Sequence, residues 1–182
     1  MIILYYILFF FLIIFILLGL LFLLQPLFSF VPFIPVQRKV LDEIFLNLKL
    51  EENSVLYDLG CGDGRILFEA KKRNRSISCV GIEIAPFPFL FTKIKSLLHS
   101  SKNIHILYGN FFNIDISPAS HIFLYLFPEV LDDLLPKFEK ELKPGTRIVS
   151  CDFQFSKREP NKVIEIKPTK WQKNKKLYIY DF

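Results

Sequence analysis

A glycine-rich turn stands between an apolar run and a stretch with helical spacing. The turn reads Gly60-Cys61-Gly62-Asp63-Gly64. The apolar run before it ends at Leu59 and contains Asp58, and helical spacing resumes from Ile66. Glycine reaches backbone angles closed to other residues and lets a ligand approach the main chain, while the start of a helix offers free N–H groups. The sequence therefore predicts a strand, a ligand-binding turn and a helix.

The charge of this turn indicates which ligand it binds. Dinucleotide sites usually space their glycines G-x-G-x-x-G and place a pyrophosphate at the helix N-terminus. Here Gly64 comes one residue early, and Asp58 and Asp63 supply carboxylates that would repel a pyrophosphate. S-adenosylmethionine fits better, because it carries an ammonium and a sulfonium and no phosphate. Glu83 ends the next apolar run, nineteen residues after Gly64, and is a candidate acceptor for ribose hydroxyls.

This combination resembles the class I S-adenosylmethionine-dependent methyltransferases, in which D-x-G-x-G-x-G closes the first strand and an acid closes the second. The resemblance implies an S-adenosylmethionine site formed by Asp58, Gly60, Cys61, Gly62, Asp63, Gly64 and Glu83. It also implies contacts to adenine after the third strand, where Asn110 can hydrogen-bond the amino group and Phe111 can pack on the ring. Without the resemblance, these two residues fit a loop asparagine and a core aromatic equally well.

The stretch after the fourth predicted strand bears on the methyl acceptor. Enzymes of this class that methylate planar nitrogens carry Asn/Asp-Pro-Pro-aromatic here, whereas this chain has no acid or amide before Pro128. That favours an aliphatic amine, which Tyr125 and Phe127 can attract by cation–π contact, although strand alternation could turn one of them into the core. Pro128 and Asp152 are candidates by position only, and Asp152 fits a structural role equally well. No residue stands out as a general base.

The N-terminal segment is long and apolar. No side chain before Arg38 is charged, and residues 1–24 are almost wholly Ile, Leu, Phe and Tyr. This exceeds the ~20 residues that span a bilayer, and the start lacks the basic and small-residue features of a signal peptide. We therefore expect a transmembrane helix over 1–24 and a proline-rich and aromatic connector over 25–35. Arg38 and Lys39 follow the helix, so the positive-inside rule places the catalytic domain of this single-pass protein in the cytoplasm.

From residue 36 the pattern predicts one α/β domain, 36–182, with an amphipathic helix first and then alternating strands and helices. This order is typical of a Rossmann-like, doubly wound, mostly parallel seven-stranded sheet that closes with a C-terminal antiparallel hairpin. The predicted strands are 55–59, 78–83, 104–108, 120–126, 146–153, 162–166 and 177–181. The predicted helices after the amphipathic one are 64–74, 86–99 and 129–142.

The net charge and the spacing of possible metal-binding residues limit which partners the protein is expected to have. The net charge is only +5, and basic residues do not interleave with aromatics along a groove, so no nucleic-acid partner is expected. Cysteines and histidines show no metal-ligand spacing. One basic cluster suggests either a solvated hairpin loop or a contact with anionic lipid headgroups. Its members, beside Trp171, are Lys167, Lys170, Lys173, Lys175 and Lys176.

Together with the apolar helix, these motifs resemble a narrower group, the small membrane-anchored lysine methyltransferases related to the mitochondrial ATP synthase c-subunit and adenine nucleotide translocase enzymes. The mitochondrial members tend to carry a basic residue in the fifth-strand stretch, where this chain has Asp152. The resemblance implies a lysine acceptor in a protein, often at a membrane surface. Two other functions stay open: methylation of a lipid amine or small molecule, and a non-catalytic cofactor-binding domain tethered to the membrane.

Overall fold

The computed structural model describes residues 2–24, 36, 40–98, 103–166 and 175–182. Within them the helices are α1 (Ile2–Leu24), α2 (Leu41–Leu48), α3 (Arg65–Arg73), α4 (Pro86–Leu98) and α5 (Pro128–Glu141). The strands are β1 (Val55–Leu59), β2 (Ser78–Glu83), β3 (Ile104–Tyr108), β4 (His121–Leu124), β5 (Arg147–Cys151), β6 (Lys162–Ile166) and β7 (Lys175–Asp181).

The seven strands form one sheet in the order β3-β2-β1-β4-β5-β7-β6. The pairs from β3 to β5 are parallel, while β7 runs antiparallel to both β5 and β6. The winding reverses between β1 and β4, which is where an open α/β sheet binds ligands at the carboxyl ends of its strands. The predicted doubly wound sheet with a closing antiparallel hairpin is confirmed.

Apolar residues cover both faces of this sheet. On one face, Ile44 of α2 and Leu67 of α3 belong to the same buried cluster as Leu56 of β1. On the other face, Leu134 and Phe138 of α5 belong to a second cluster. Because parallel strands are buried on both sides, they read in the sequence as nearly continuous apolar runs. The two cores fix the strand ends from which the site is built.

Several element boundaries differ from the sequence prediction by one or two residues, and three of these differences bear on the site. Strand β4 ends at Leu124 rather than 126, because the chain leaves the sheet to start α5 at Pro128. Strand β5 ends at Cys151 rather than 153, because Asp152 takes a left-handed φ of +66°. Helix α3 starts at Arg65 rather than 64, because Gly64 is also left-handed at φ +71°. The earlier end of β4 places Tyr125, like Phe127, after the strand rather than on it.

Helix α1 is long enough and apolar enough to cross a membrane, with a mean hydropathy of 3.0 over Ile2–Leu20 and none of that window buried. Its length and composition match the predicted span. The predicted connector 25–35 and the flanking Arg38 and Lys39 lie outside the described residues. So do Lys167, Lys170, Trp171 and Lys173 of the basic cluster.

Candidate active site

The turn between β1 and α3, residues 60–64, is called the glycine bend below. Its glycines all take left-handed angles, with φ of +81° at Gly60, +54° at Gly62 and +71° at Gly64. At Gly64 a Cβ atom would lie 2.6 Å from Cγ2 of Thr92 and 2.7 Å from a ring carbon of Phe68. The bend therefore requires glycine here for its backbone angle and for the close approach of α4.

Glu83, at the end of β2, faces the glycine bend as the sequence predicted. Its Oε2 accepts the N–H of Gly62 at 2.9 Å, and its Oε1 accepts the N–H of Ala85 at 2.8 Å. The main-chain N–H groups of Gly60 and Cys61 also donate to the carbonyl of Ile82, at 2.9 and 3.1 Å. An ionised carboxylate has about four lone-pair sites, so Glu83 can still accept hydrogen bonds from a ligand.

Asp58 is a buried acid at the end of β1, with only 3% of its surface exposed. Within the described part of the chain, no hydrogen-bond donor reaches its carboxylate. Burial raises the pKa of Asp58 well above its ordinary value, and the charges of Glu83 and then Asp63 raise it further. Two neighbouring buried acids without a cation are unfavourable, so a positively charged ligand stabilises this arrangement. The residues present fit the cationic end of S-adenosylmethionine.

From the sequence, Asp63 and Asp58 were both expected to supply negative charge to the turn, but the structure shows that the Asp63 carboxylate is already paired. Its Oδ2 pairs with the Arg65 guanidinium at 2.7 Å, and Arg65 also donates to the main-chain carbonyl of Val36. Burial by itself raises the pKa of Asp63, but the hydrogen bonds and charge of Arg65 hold it below its ordinary value. Among the described residues, the negative charge at the bend that is not paired with a cation therefore comes from Asp58 and Glu83.

Helix α4 holds the bend through two residues that the sequence analysis did not assign. The hydroxyl of Thr92, which is fully buried, donates to the carbonyl of Gly62 at 2.5 Å. The ammonium of Lys95 lies 3.3 Å from the carbonyl of Asp63 and 4.1 Å from the centre of the Phe68 ring. Helix α4 also contains Lys93 and Ser96, so residue type alone did not distinguish Thr92 in the sequence.

Cys61 also lies in the bend, and it is buried. Burial raises the pKa of its thiol, and the carboxylates of Asp58 and Glu83 raise it further. The thiolate is the nucleophilic form of cysteine, so this residue is chemically inert at neutral pH. Its contribution to the bend is its main chain and its packing, with Sγ 2.7 Å from where a Cβ on Gly81 would lie.

The end of β3 brings Asn110 and Phe111 beside Glu83. The N–H of Gly109 donates to the main-chain carbonyl of Glu83 at 3.0 Å. The Oδ1 of Asn110 accepts the N–H of Phe112 at 3.0 Å and starts a short 3-10 turn, Phe111–Asn113. Asn110 is exposed, and Phe111 packs partly against the second core. The predicted adenine-contacting pair thus lies next to the predicted ribose-binding acid.

Residues from three strand ends form what we call the acceptor rim: Tyr125, Phe127, Asp152, Phe153 and Lys175. The ring of Phe153 lies 6.4 Å from that of Tyr125 and 5.6 Å from that of Phe127, centre to centre. The ammonium of Lys175 is an ion-pair partner of Asp152 and donates to the Tyr125 hydroxyl at 2.7 Å. It also lies 4.9 Å from the centre of the Tyr125 ring. The rim therefore already contacts one ammonium group.

Lys175 corrects the view of the basic cluster as a solvated loop, because its side chain is only 19% exposed and it begins β7. Burial by itself lowers the pKa of Lys175, but its hydrogen bonds to Asp152 and Tyr125 raise it above the ordinary value. Lys175 therefore stays charged at neutral pH. Its partner Asp152 holds a left-handed backbone angle that non-glycine residues avoid, a form of strain common at functional sites.

The bend and the rim lie at the same edge of the sheet. Leu59, the last residue of β1, pairs with Leu124 of β4, and Leu124 pairs with Ser150 of β5. Leu126, inside the rim stretch, has its Cδ2 3.4 Å from where a Cβ on Gly60 would lie. Pro128 starts α5 directly after the rim residue Phe127. The glycine bend and the rim residues that follow β4 and β5 thus lie at the carboxyl ends of neighbouring strands.

A family model described as the ANTKMT methyltransferase domain matches residues 58–162. A protein-lysine N-methyltransferase from Saccharolobus islandicus (strain REY15A) is 37% identical over 156 residues, which cover 82% of this chain and 92% of that protein. The lysine N-methyltransferase of Homo sapiens that is named for the ATP synthase c-subunit is 27% identical over 136 residues. That match covers 73% of this chain and 56% of the human protein, so the chain spans about half of its length.

Among solved structures, an RNA methyltransferase from Salinibacter ruber in complex with S-adenosyl-L-homocysteine matches with a TM-score of 0.73 and 32% identity. The match covers 81% of this chain and 93% of that one. S-adenosylhomocysteine is what remains of S-adenosylmethionine after its methyl group is transferred, which agrees with the charge of the glycine bend. The chain therefore belongs to the ANTKMT methyltransferase domain family and is an S-adenosylmethionine-dependent methyltransferase.

Proposed function

We propose that this protein methylates lysine side chains of a membrane-associated protein. The observation that carries the proposal is the ammonium of Lys175, held by Tyr125 and Asp152 at the sheet edge that also bears the glycine bend. A pocket that holds one lysine ammonium has the shape and polarity to receive another. The similar proteins named for lysine methylation, from Saccharolobus islandicus and Homo sapiens, support the same acceptor.

On the cofactor side, Asp58 receives the cationic end of S-adenosylmethionine. Glu83 uses its remaining lone pairs for the ribose hydroxyls, and Asn110 and Phe111 contact the adenine. The bend residues Gly60, Cys61, Gly62, Asp63 and Gly64 contribute their main chain, held in place by Thr92. The support for these roles is the burial of the Asp58 carboxylate and the hydrogen bonds that orient Glu83 toward the bend.

On the acceptor side, the rings of Tyr125, Phe127 and Phe153 enclose the incoming amine, with Pro128 fixing the end of this wall. The incoming lysine displaces Lys175 from Tyr125 and Asp152, so its ammonium finds a hydroxyl and a carboxylate to accept its protons. The amine attacks only when neutral, and deprotonation of an ordinary lysine at pH 7 costs about 4.6 kcal/mol. An apolar wall lowers that amount by disfavouring the charged form.

When bound, S-adenosylmethionine supplies a methyl group on a positively charged sulfur. The protein contributes alignment of the amine with that methyl group and exclusion of water, which are the main sources of rate in such a transfer. The common edge formed by the ends of β1, β4 and β5 brings the two reactants together. No single residue is required as a general base in this scheme, although Asp152 is within reach of an ammonium proton.

The membrane part of the proposal rests on α1, whose Ile2–Leu20 window is long and apolar enough to span a bilayer. In this arrangement residues 1–24 anchor the protein, 25–35 connect, and 36–182 form the methyltransferase domain. Arg38 and Lys39 keep that domain on the cytoplasmic side. The lipid bilayer is thus one partner and an integral or peripheral membrane protein is the substrate.

Labelling of membranes with S-adenosylmethionine radioactive in the methyl group tests the acceptor. The full chain is added to membranes, and the label is then measured in protein, in extractable lipid and in RNA. Label in protein, recovered as methyl-lysine after hydrolysis, is expected, and Asp58→Ala should abolish it. Label only in lipid would support the alternative lipid-amine function, and label only in RNA would assign this chain the kind of substrate named for the Salinibacter ruber protein.

A further inference from the structure

Helix α4 exposes an unusually apolar outer face. Five large side chains on it are between 49% and 82% exposed: Leu90, Phe91, Ile94, Leu97 and Leu98. The ring of Tyr108 at the end of the edge strand β3 is 58% exposed and lies 5.0 Å from the ring of Phe89 on α4. The apolar surface therefore continues from the helix to the edge of the sheet, and its extent is typical of an interaction site.

The charged residues of α4 are arranged around this face. At about 100° per residue, the five exposed apolar side chains fall within an arc of roughly 120°. Lys93 and Lys95 lie at the two borders of that arc, and Pro86–Leu98 contains no acid. The other helices of the domain differ, because α2, α3 and α5 carry Asp42, Glu69 and Glu129 respectively.

The opposite side of α4 is fully used by the fold. Thr92 donates to the carbonyl of Gly62, and the border residues Lys93 and Lys95 donate to the carbonyls of Ile106 and Asp63. Phe89 packs against the first core. The outer apolar arc contributes to none of these contacts, so packing against the described residues of the domain does not explain it.

We propose that the outer face of α4 lies in the interfacial layer of a lipid bilayer and is a second membrane contact besides α1. An apolar arc bordered by lysines matches helices that rest in this layer, where the apolar side chains enter the acyl boundary. The ammonium groups of Lys93 and Lys95 donate to the carbonyls of Ile106 and Asp63, so they are held beside the arc as positive charges that attract anionic headgroups. The absence of acids on α4 removes repulsion from anionic headgroups. A second copy of the chain fits less well, because a symmetric α4 contact would bring Lys93 and Lys95 toward their own counterparts.

The inference deepens the proposed function, on which it rests for the membrane anchor. Since α4 holds the glycine bend with its inner face, the bend would lie about one helix diameter, ~10 Å, from the bilayer surface. The acceptor rim shares the sheet edge with the bend. The protein would thus present its site to lysines near the headgroups, rather than to lysines anywhere within reach of a flexible tether.

Depth-dependent fluorescence quenching tests this placement in the full chain. Leu97→Cys is labelled with the polarity-sensitive dye NBD, and the native Cys61, Cys79 and Cys151 stay unlabelled because they are buried. The matched control is Glu139→Cys on α5, which is also exposed. Each labelled chain is reconstituted into vesicles of phosphatidylcholine and phosphatidylserine that contain a lipid with a nitroxide near the headgroup. We expect a blue-shifted emission and severalfold stronger quenching at position 97 than at 139.

The outcomes separate this inference from the anchor. Co-flotation of the chain with vesicles, but equal quenching at 97 and 139, would overturn the α4 contact and leave the α1 anchor standing. Absence of co-flotation would overturn both. A dye at 97 that is shielded from water but not quenched by lipid, with cross-linking between copies, would assign the face to a dimer and overturn the lipid contact.

A charge reversal tests, with the same label at position 97, whether the lysines of α4 contribute to the contact. Lys93→Glu should weaken the quenching at position 97 severalfold in vesicles with phosphatidylserine and less in phosphatidylcholine alone. Lys140→Glu, an equal charge change at an exposed position of α5, should leave it unchanged. Equal effects of the two substitutions would contradict a membrane contact made by α4 itself.

Discussion

The glycine bend and the acceptor rim lie at the same edge of the sheet but differ in the kind of atoms that form them. The bend is made of main chain, held by Glu83 and Thr92 through hydrogen bonds to Gly62. The rim is made of side chains, with Lys175 reaching Tyr125 across 50 residues of sequence. Main-chain geometry constrains which residues are allowed, whereas a wall of side chains can change without altering the fold. The difference explains how one domain can keep its cofactor while its acceptor varies.

The two regions also differ in whether their acidic side chains are paired with a cation. Asp58 and Glu83 at the bend leave negative charge without a cation in the described part of the chain, and the pKa of Asp58 is raised by burial and by Glu83. At the rim, Asp152 is already neutralised by Lys175. The bend should therefore respond to pH and to cationic ligands, while the rim should respond to the loss of either member of its ion pair.

The largest effect should follow from Gly64→Ala in the bend. The new Cβ would lie 2.6 Å from Cγ2 of Thr92, and the backbone would stay at φ +71°. We expect the free energy of unfolding to fall by about 2–5 kcal/mol, from the backbone angle together with overpacking. Chemical denaturation of the full chain in detergent, followed by circular dichroism, measures the change.

Gly145→Ala is the matched control for that substitution. Gly145 also has a positive φ, +89°, but nothing lies within 4 Å of the position of a Cβ. At Gly145 we expect only the cost of the left-handed backbone angle, a fall of about 1–2 kcal/mol in the free energy of unfolding. If both substitutions lowered stability equally, the close packing of α4 on the bend would not be the constraint described here.

Asp58→Asn should cause the next largest effect, a loss of about 2 kcal/mol or more in the free energy of S-adenosylmethionine binding. The amide keeps the shape of the side chain but removes the charge that faces the cation. Isothermal titration calorimetry measures the affinity. Asp133→Asn, at an exposed position of α5, is the control and should bind like the unmodified chain. Unchanged affinity in Asp58→Asn would remove the electrostatic basis of the cofactor site.

The raised pKa of Asp58 also predicts how the stability of the unliganded protein depends on pH. Because the pKa of Asp58 is raised above its ordinary value of 3.8, the folded chain keeps a proton that the unfolded chain has released. The contribution of Asp58 to stability is thus complete below about pH 3.8 and is lost as the pH rises toward the folded-state pKa. Cofactor affinity should rise over the same range, since the cation needs the ionised form. In Asp58→Asn, neither the stability nor the cofactor affinity should change with pH over this range.

At the rim, a double-mutant cycle of Asp152→Asn and Lys175→Gln measures the ion pair. The two side chains are only 17% and 19% exposed, so we expect a coupling free energy of about 1–2 kcal/mol in unfolding. The pair Glu165 and Lys176, which is 69% and 44% exposed, is the control and should couple by about 0.5 kcal/mol or less. Similar couplings in both cycles would show that the rim pair is not specially shielded.

The same variants separate the rim from the bend in catalysis. Lys175→Gln should leave the affinity for S-adenosylmethionine unchanged, because no contact joins Lys175 to the described bend residues. It should lower the KM for the protein acceptor, since the incoming lysine no longer has to displace an internal one. A weakened cofactor affinity with an unchanged KM would contradict the division between the two regions.

The contrast between bend and rim also explains what the sequence could predict. The order and direction of the strands were predictable because buried parallel strands are apolar runs and the helices between them are amphipathic. The ends of β4 and β5 were not, because Leu126 stays buried after the chain leaves the sheet. The left-handed angle of Asp152 has only a weak signature in residue type, because Asp adopts this angle much less often than the glycines of the bend.

The same reasoning applies to the site. Asp58, Glu83 and the glycines were predictable, because their chemistry follows from residue type and from positions at the ends of consecutive strands. Thr92 and Lys175 were not, because their roles depend on partners 30 and 50 residues away. Because its neighbours in sequence are also basic, the cluster that contains Lys175 indicated a solvated loop or a lipid contact, and neither predicts a largely buried ion pair. Long-range side-chain pairing is what a single sequence conveys least.

The smallest effect is expected at Asn110, the predicted adenine-contacting residue after β3. Its side chain is exposed, but its Oδ1 accepts the N–H of Phe112 at 3.0 Å. Asn110→Ala removes this cap and the proposed adenine contact, so cofactor affinity should fall by about 1 kcal/mol in binding free energy. Asn110→Asp keeps the accepting oxygen and should restore most of the loss, measured by the same calorimetry. If the aspartate variant bound as weakly as the alanine variant, the amide N–H₂ group rather than the oxygen would be the adenine contact, and wild-type affinity in both would exclude Asn110 from the site.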